Sequence, residues 1–300
     1  MGEASDSREL LPVLAALPGH LFWRAHARVA SALGEILPAG VDIHAYAALL
    51  ALSGGVTRSQ QSLSQTISVS RTTMVRVAAD LSNQGLVKRV RNPEDRRSYA
   101  LTRTPQGAAA ARRWRRHAED LEDSITDGFT LEEREELRTL LLRVAQVDLA
   151  PDVPEPLRES IGFLITRVHT RMHREFMAAL EPLRIEPRDY GALTALEAMG
   201  PVSQAELARN LGVSGASMVQ IVDDLEKRGL LERRRLASDR RTQVLHLMPE
   251  VPDVLAAAAR LASEMTDTLF GDLSKARMKR LVVLLQRLVT TPATEPRNSH

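Results

Sequence analysis

The chain has 300 residues, of which 44% are hydrophobic and 26% charged, a balance typical of a globular protein with a hydrophobic core. It contains no cysteine, which excludes disulfides, thiolate metal sites and cysteine nucleophiles. The formal net charge is +2, and no apolar run approaches the roughly 18 residues that span a bilayer. Because the start of the chain also lacks a signal-peptide pattern, we expect a cytoplasmic protein without a membrane partner.

The first predicted element is a helix over His20–Leu37, with apolar residues at helical spacing along one face. Downstream, two short helices flank a tight turn in the segment that contains "LSQTISVSRTTMVRVAADL", and two short strands follow around "NPEDRRSYALT". Thr130, with Glu133 three residues later, is a capping box that begins a last amphipathic helix. The first half of the chain therefore predicts a helix-turn-helix, a hairpin wing and flanking helices.

The second half repeats this order. "SRTTMVRVAADLSNQGLV" from Ser70 aligns with "SGASMVQIVDDLEKRGLL" from Ser214, 144 residues further on, and upstream "RAHAR" from Arg24 matches "RVHTR" from Arg167 at an offset of 143. Each copy is as long as a domain, so the pattern indicates a tandem duplication and not a solenoid.

The elements of the second copy carry their own start and stop signals. Ser203 and Glu206 form the pattern of a capping box, and a helix runs from Ser214 to about Lys227 until Gly229 ends it. "LLERRR" and "TQVLHL" are typical of short strands, and Ser274 begins the last helix.

The segment "DLAPDVPEPL", residues 148–157, separates the copies with three prolines, which cannot continue a helix. We predict a first unit at 1–148, a proline-rich junction at 149–157 and a second unit at 158–300. The predicted fold class is mainly α, with two winged helix-turn-helix units.

The wing loop contains Asp-Arg-Arg in both copies, at 95–97 and 239–241. A winged helix-turn-helix needs polar and arginine side chains early in its second helix to reach base edges, and arginines on its wing to meet phosphates and the minor groove. The loop aspartate is expected to hold an arginine in place. The residues predicted to bind DNA are Ser70, Arg71, Thr72, Thr73, Arg76, Arg91, Asp95, Arg96 and Arg97 in the first copy, and Ser214, Ser217, Gln220, Arg235, Asp239, Arg240 and Arg241 in the second.

These residues and their spacing resemble the MarR family of bacterial transcription regulators. The resemblance lies in the second helix, in "GLVKRVRNPEDRRSYALTRTPQG" and in "GLLERRRLASDRRTQVLHL", and it extends over nearly the whole chain. It implies a transcription regulator, usually a repressor, that binds a pseudo-palindromic operator of double-stranded DNA as a homodimer and releases it when a small molecule binds. A chain with two copies then resembles such a dimer fused into one polypeptide, a monomeric pseudo-dimer joined through N- and C-terminal helices.

The two copies depart from that pattern in different places. The first has Ser64 and Ser68 at turn positions where the second has Ala208 and Gly212. In the second copy, Gly215 and Ala216 replace the arginine and threonine that begin the first recognition helix. We expect two unequal DNA-binding lobes.

The resemblance also implies a ligand pocket between the terminal helices and the DNA-binding part of each unit. A histidine and an arginine near an apolar helix face suit a small aromatic or anionic effector, although such histidines also occur as locally bonded residues at the edge of a core. The candidate residues are Trp23, His26, Arg28, His44, Tyr46, His169, Arg171 and Tyr190.

Two other functions fit the residues. A plasmid-type replication initiator can also carry two winged helices, and a winged helix can bind protein instead of DNA. No glycine-rich phosphate loop, nucleophile elbow or zinc-hydrolase motif occurs, so we expect no enzymatic activity, no cofactor and no metal.

Overall fold

The computed structural model describes residues 10–37, 41–92, 97–236 and 239–291, with side chains described outside 236–242. The elements of the first repeat are α1 (Pro12–Ala15), α2 (Pro18–Ile36), α3 (Ile43–Ala51), β1 (Thr57–Arg58), α4 (Gln60–Thr66), α5 (Arg71–Asn83), β2 (Val87–Arg91), β3 (Tyr99–Arg103), α6 (Pro105–Ile125) and α7 (Leu131–Ala145). Those of the second are α8 (Glu155–Glu159), α9 (Ile161–Leu180), α10 (Pro187–Met199), α11 (Gln204–Leu211), α12 (Gly215–Lys227), β4 (Leu231–Leu236), β5 (Asp239–Leu247), α13 (Val251–Leu269) and α14 (Lys275–Thr290).

Most of the predicted helix starts and stops are confirmed. Thr130 and Glu133 form both bonds of a capping box, and Ser274 accepts a bond from the backbone of Arg277. Ser203 caps α11 by accepting from the backbone of Glu206, which is one of the two bonds of the predicted box. Helix α12 ends before Gly229, whose φ of +70° lies in the left-handed region that glycine adopts without strain.

The predicted hairpins are also present, one in each repeat. Strands β2 and β3 pair antiparallel from Val87 with Arg103 to Arg91 with Tyr99, and β1 pairs with the other edge of β3. Strands β4 and β5 pair antiparallel with a register shift after Arg235. Each hairpin follows directly after the helix-turn-helix of its repeat, and the backbone of residues 239–241 lies in β5.

Residue contacts divide the chain into two compact units, which we call the split unit and the central unit. The split unit consists of two segments, the described residues up to Ala25 and the segment Val168–Thr291. The central unit is His26–Arg167. Each unit therefore combines the beginning of one repeat with the body of the other. This division follows contacts rather than sequence similarity, so the boundaries predicted for the duplication itself remain a prediction.

Buried leucines explain this exchange. Leu14 of α1 is fully buried in the split-unit core, which also contains Leu207 and Met218 of the second helix-turn-helix. Leu157 of α8, at the matching place in the second repeat, is buried in the central core with Leu63 and other residues of the first helix-turn-helix. Burying such a side chain is worth roughly 1.5 to 3 kcal/mol, so each short helix is held by the unit that covers its leucine.

The proline-rich junction is part of this packing. Its three prolines do not prevent a helix, because Pro154 is the N-cap of α8 and Pro156 lies in the first turn, where a backbone N–H has no intrahelical partner. Val153 and Leu157 are buried in the central core. The junction is thus a folded segment of the central unit.

Candidate nucleic-acid interface and ligand cavities

Helix α5 begins with the polar residues that sequence reasoning assigned to DNA. The hydroxyl of Ser70 caps the helix by accepting from the backbone N–H of Thr73 at 3.0 Å. Arg71 and Thr72, in the first turn, are exposed. Ser70 therefore has a structural role at the helix start, and Arg71 and Thr72 present the side chains that can reach base edges.

Arg76 lies one turn further along α5 and is bound within the central unit. Its guanidinium donates to a carboxylate oxygen of Asp42 at 2.8 Å and to Asp80 at 3.4 Å. Hydrogen bonding to Asp42 is the main cause that raises the pKa of Arg76. Asp42 is also the N-cap of α3, so this ion pair ties the recognition helix to the start of α3.

Helix α12 has the same cap but a poorer polar surface. Ser214 accepts from the backbone N–H of Ser217 at 3.1 Å, and Gly215 and Ala216 occupy the exposed first turn. Gln220 is exposed at the place that matches Arg76. The two recognition helices thus share a backbone arrangement while differing in the side chains they present.

One exposed apolar residue on each recognition helix was not among the predicted DNA-binding residues. Val75 and Val219 occupy matching positions and are 57% and 43% exposed. Apolar side chains on a recognition helix can contact thymine methyl groups. Their identity in both repeats, with a polar surface around them, is the sequence signal that could have identified them.

The wings are described in part. The guanidinium carbon of Arg91 lies 4.7 Å from the ring centroid of Tyr99, a cation–π contact across the first wing, and Arg97 is exposed at its tip. Asp95 and Arg96 lie outside the described residues. Arg235 is exposed in β4. The backbones of Asp239, Arg240 and Arg241 belong to β5, and their side chains are outside the described part of the chain.

The turn between the two helices of each helix-turn-helix uses a left-handed residue. Gly212 has a φ of +73° in the second repeat, and Ser68 has a φ of +58° in the first. As the sequence indicated, the first repeat has a serine where the second has a glycine. This has a conformational cost, because a residue with a side chain disfavours the left-handed region. The Ser68 hydroxyl is buried with no hydrogen-bond partner among the described residues.

A cavity of about 720 Å³ lies within the split unit and is called the split cavity. Among its lining residues are three of the predicted ligand candidates: Trp23, His169 and Tyr190. Sequence reasoning grouped Trp23 with the first-half candidates, but the structure places it with those of the second half, because α2 begins in the split unit.

A smaller cavity of about 400 Å³ lies within the central unit and is called the central cavity. Three other predicted candidates line it: His26, His44 and Tyr46. Burial lowers the pKa of both histidines, and for His44 the charge of Asp42 opposes this shift. These imidazoles are therefore biased toward their neutral form.

The two predicted arginine candidates line neither cavity. Arg28 donates to the backbone carbonyl of Ser124 at 3.1 Å, and Arg171 donates to Glu175 at 2.8 Å. The partner of Arg28 lies on α6, and the partner of Arg171 lies one turn further along the same helix, α9. As a result, neither arginine is placed to bind an anion inside a cavity.

Glu122 was not predicted as a site residue, although it lines the central cavity. Its carboxylate accepts from the Ser160 hydroxyl at 2.5 Å, the Ile161 N–H at 2.9 Å and the Gly162 N–H at 3.2 Å, which caps the start of α9. Burial raises the pKa of Glu122, and the bonds from Ser160 and the two backbone N–H groups oppose the shift. Because these partners lie about 40 residues away in sequence, no local motif indicated the contact.

His20 lines the split cavity and was also not predicted as a site residue. Its ring centroid lies 5.6 Å from that of Trp23, and burial, with the charge of Arg24 as a second cause, lowers its pKa to about 4. Its Nε2 atom is buried and has no hydrogen-bond partner among the described residues. His20 therefore lines the split cavity as a residue, while its Nε2 atom is itself buried.

Two further observations concern metals and membranes. Among the described residues, no group of three or more histidine, aspartate or glutamate side chains could hold a metal ion. Within the same ranges, no helix has both the length and the apolar character needed to cross a membrane.

Comparison with known proteins finds the same two segments. A model of the MarR family matches residues 39–98 and, a second time, residues 185–242. A putative transcriptional regulatory protein for the hcr operon of Thauera aromatica is 29% identical over 155 residues, which cover 51% of this chain and 93% of the relative.

Each of these solved structures matches less than half of this chain. The transcriptional repressor CouR of Rhodococcus jostii, bound to a 23-mer DNA duplex, is 31% identical with a TM-score of 0.42, and the match covers 44% of this chain and 93% of CouR. A probable transcriptional regulator from Pseudomonas aeruginosa is 29% identical with a TM-score of 0.40, over 43% of this chain and 96% of that protein.

Proposed function

This chain belongs to the MarR family of transcription regulators, and we propose that it binds one double-stranded DNA operator through both of its winged helices. The observation that supports this most directly is the duplication of the whole recognition module. Each half has a capped recognition helix with an exposed first turn and a basic hairpin directly after it. One chain then supplies the two lobes that a homodimer obtains from two subunits, as a monomeric pseudo-dimer.

The DNA-contacting residues proposed for the central unit are those at the start of α5 and on its wing. Arg71 and Thr72 would contact base edges, and Arg91 and Arg97 the phosphates of the backbone. Val75 would add an apolar contact to a thymine methyl group.

The split unit would contact its half-site with fewer specific bonds, because Gly215 and Ala216 have no polar side chain at the start of α12. Ser217 and Gln220 are its remaining polar candidates on that helix, with Arg235 on the wing. The operator is therefore proposed to have dissimilar half-sites.

Regulation is proposed to be repression that a small molecule relieves. The two cavities support this proposal, because each lies within a unit that contains a recognition helix. The family match favours a transcription regulator over the replication initiator that the residues also allowed.

The test is genomic footprinting followed by salt titration with the identified operator. We expect two protected half-sites and an affinity that falls with salt by about 0.9 log units per log unit of salt for each phosphate contact. Arg71→Ala should weaken binding by roughly tenfold or more, because a good base contact contributes about 1 to 3 kcal/mol.

The matched control is Gly215→Ala in the split unit, which should change affinity much less. A Cβ at Gly215 would meet no atom within 4 Å, so this substitution leaves the fold intact. Equal losses for the two variants, or two identical half-site footprints, would contradict the unequal lobes. Binding that is insensitive to salt would contradict DNA binding itself and favour a protein partner.

A further inference from the structure

One position on the first long strand of each wing holds an arginine whose surroundings differ between the repeats. Arg89 in β2 and Arg233 in β4 are separated by the repeat offset of 144. In the split unit, the Arg233 guanidinium forms ion pairs with Asp223 and Glu226 of α12 and donates to the Gln204 side chain at 3.2 Å. Its backbone N–H also donates to the Glu226 carboxylate at 3.1 Å. Arg233 is therefore held against the recognition helix with its charge neutralised.

The central unit lacks both carboxylates at the matching positions. Ala79 stands at the place of Asp223. Ser82 stands at the place of Glu226, and its hydroxyl donates to a backbone carbonyl of α5 at 2.7 Å. Arg89 is exposed, and no ion pair or hydrogen bond joins its side chain to another residue in the described part of the chain. The same residue type is thus a neutralised cation in one repeat and an unpaired surface cation in the other.

Arg89 lies between the two elements proposed to enter the DNA grooves, because β2 begins directly after α5 and leads to the tip of the first wing. In a winged-helix complex the recognition helix occupies the major groove and the wing the neighbouring minor groove. The sugar–phosphate strand that separates these grooves must pass between the helix and the wing. In the split unit, the arginine at this position reaches Asp223, which is 59% exposed and lies one turn beyond Val219. A side chain at this position therefore reaches the surface of the helix that faces DNA.

We propose that Arg89 binds a phosphate of the strand between the two grooves in the half-site of the central unit, a contact that the split unit does not make. A guanidinium without a carboxylate partner suits a phosphate, because the charges are opposite and its planar fork matches two phosphate oxygens. In the split unit, Asp223 and Glu226 already occupy the guanidinium of Arg233 and would repel a phosphate. The inference rests on the DNA-binding function proposed above, and it makes the two lobes unequal in backbone contacts as well as in base contacts.

The first test removes the cation from the full chain. Arg89→Gln should weaken operator binding several-fold and should reduce the dependence of log affinity on log salt by about 0.9, the value for one phosphate contact. Arg116→Gln is the matched control, because it also removes an exposed arginine without an ion pair among the described residues, but from α6. It should leave the salt slope unchanged. An unchanged slope in Arg89→Gln, or equal changes in both variants, would overturn the proposal.

The second test gives the split unit the surroundings of the first repeat. Asp223→Ala combined with Glu226→Ser should free the guanidinium of Arg233, so that Arg233→Gln in this background should reduce the salt slope by about 0.9. In the wild-type background, Arg233→Gln should change the slope little, because the guanidinium is already paired. Equal effects of Arg233→Gln in the two backgrounds would show that the carboxylates do not decide whether this arginine binds DNA, and would contradict the proposal.

Ethylation interference on the operator locates the phosphate. The half-site of the central unit is the one that Arg71→Ala weakens, and ethylation of one phosphate between its two groove contacts should block binding of the wild-type chain. This interference should vanish in Arg89→Gln and persist in Arg116→Gln; persistence in both would overturn the assignment. If the wild-type chain binds no duplex DNA, or binds it without dependence on salt, the proposed function fails. If it binds with that dependence and only the effects of Arg89 are missing, this inference alone fails.

Discussion

The guanidinium of Arg24 donates a hydrogen bond to the carbonyl oxygen of Leu211, over 3.3 Å, at the C-terminal end of α11. Arg167, the matching residue of the second repeat, donates to the carbonyl oxygen of Gln65 in α4 over 3.2 Å. The first long helix of each repeat therefore supplies a cation to the helix-turn-helix of the other. Cations are favourable there because the last carbonyls of a helix carry partial negative charge.

Replacing Arg24 tests this contact. Arg24→Met should lower the free energy of unfolding of the split unit by about 1 kcal/mol, the size of one hydrogen bond at a helix end. The two tryptophans lie in different units, so Trp23 fluorescence in a Trp114→Phe background follows the split unit during urea denaturation. Arg174→Met, which changes a side chain that is 68% exposed, is the control and should have little effect. Equal effects of the two substitutions would show that the contact with Leu211 is not stabilising.

Exchanging the left-handed residues of the two turns should change the stability of the two units in opposite directions. Ser68→Gly should stabilise the central unit by about 1 kcal/mol, because it removes backbone strain and an unpartnered buried hydroxyl. Gly212→Ser should destabilise the split unit, since a Cβ there would lie 2.2 Å from the guanidinium of Arg24 and force it to move. Denaturation followed by Trp114 in the first case and by Trp23 in the second measures both changes, and a loss of stability in Ser68→Gly would refute the argument.

The ion pair between Arg76 and Asp42 limits what Arg76 can do on DNA. Asp42→Asn keeps a side-chain oxygen for the cap on α3, where the N–H of His44 donates at 2.8 Å, but removes the closer of the two carboxylate charges that hold Arg76. If the freed guanidinium reaches a phosphate, operator affinity should rise several-fold and its dependence on log salt should steepen by about 0.9. Arg76→Gln is the control, because it should abolish the effect of Asp42→Asn in the double variant. An unchanged salt slope in Asp42→Asn would mean that Arg76 does not reach the backbone.

Removing the carboxylate of Glu122 should uncap α9. In Glu122→Ala the N–H groups of Ile161 and Gly162 lose their acceptor, so the central unit should lose about 1 to 3 kcal/mol of unfolding free energy. Glu122→Gln retains one acceptor oxygen and should lose less. Denaturation followed by Trp114 in a Trp23→Phe background compares the two variants, and equal losses would show that filling the space matters more than the bonds.

His20 makes stability depend on pH. Its pKa falls from 6.5 to about 4 on folding, so the unfolded chain binds the proton more readily between these values. The stabilisation is complete above pH 6.5 and is lost as the pH falls toward 4, with a total of about 3 kcal/mol. His20→Phe should flatten this part of the stability curve, measured by denaturation of the split unit at pH 4, 5, 6 and 7. A dependence of stability on pH that the substitution leaves unchanged would contradict the lowered pKa of His20.

Local patterns in the sequence determined the helices and strands of this protein. The repeat offset, the caps at Thr130 and Ser274, the stop at Gly229 and the two hairpins were predictable, because each depends on residues a few positions apart. The same patterns predicted the winged helix-turn-helix and the unequal starts of the recognition helices, since Arg71 and Gly215 differ at matching positions.

Tertiary structure decided which repeat each segment packs against and what each polar group meets. The placement of Trp23 with His169, the bond from Arg76 to Asp42 and the capping of α9 by Glu122 all join residues more than 30 positions apart. Leu14 and Leu157 are the same residue type at matching positions of the two repeats, so the local sequence does not determine which core buries each of them. That depends on contacts with residues far away in the chain, which form only in the folded protein.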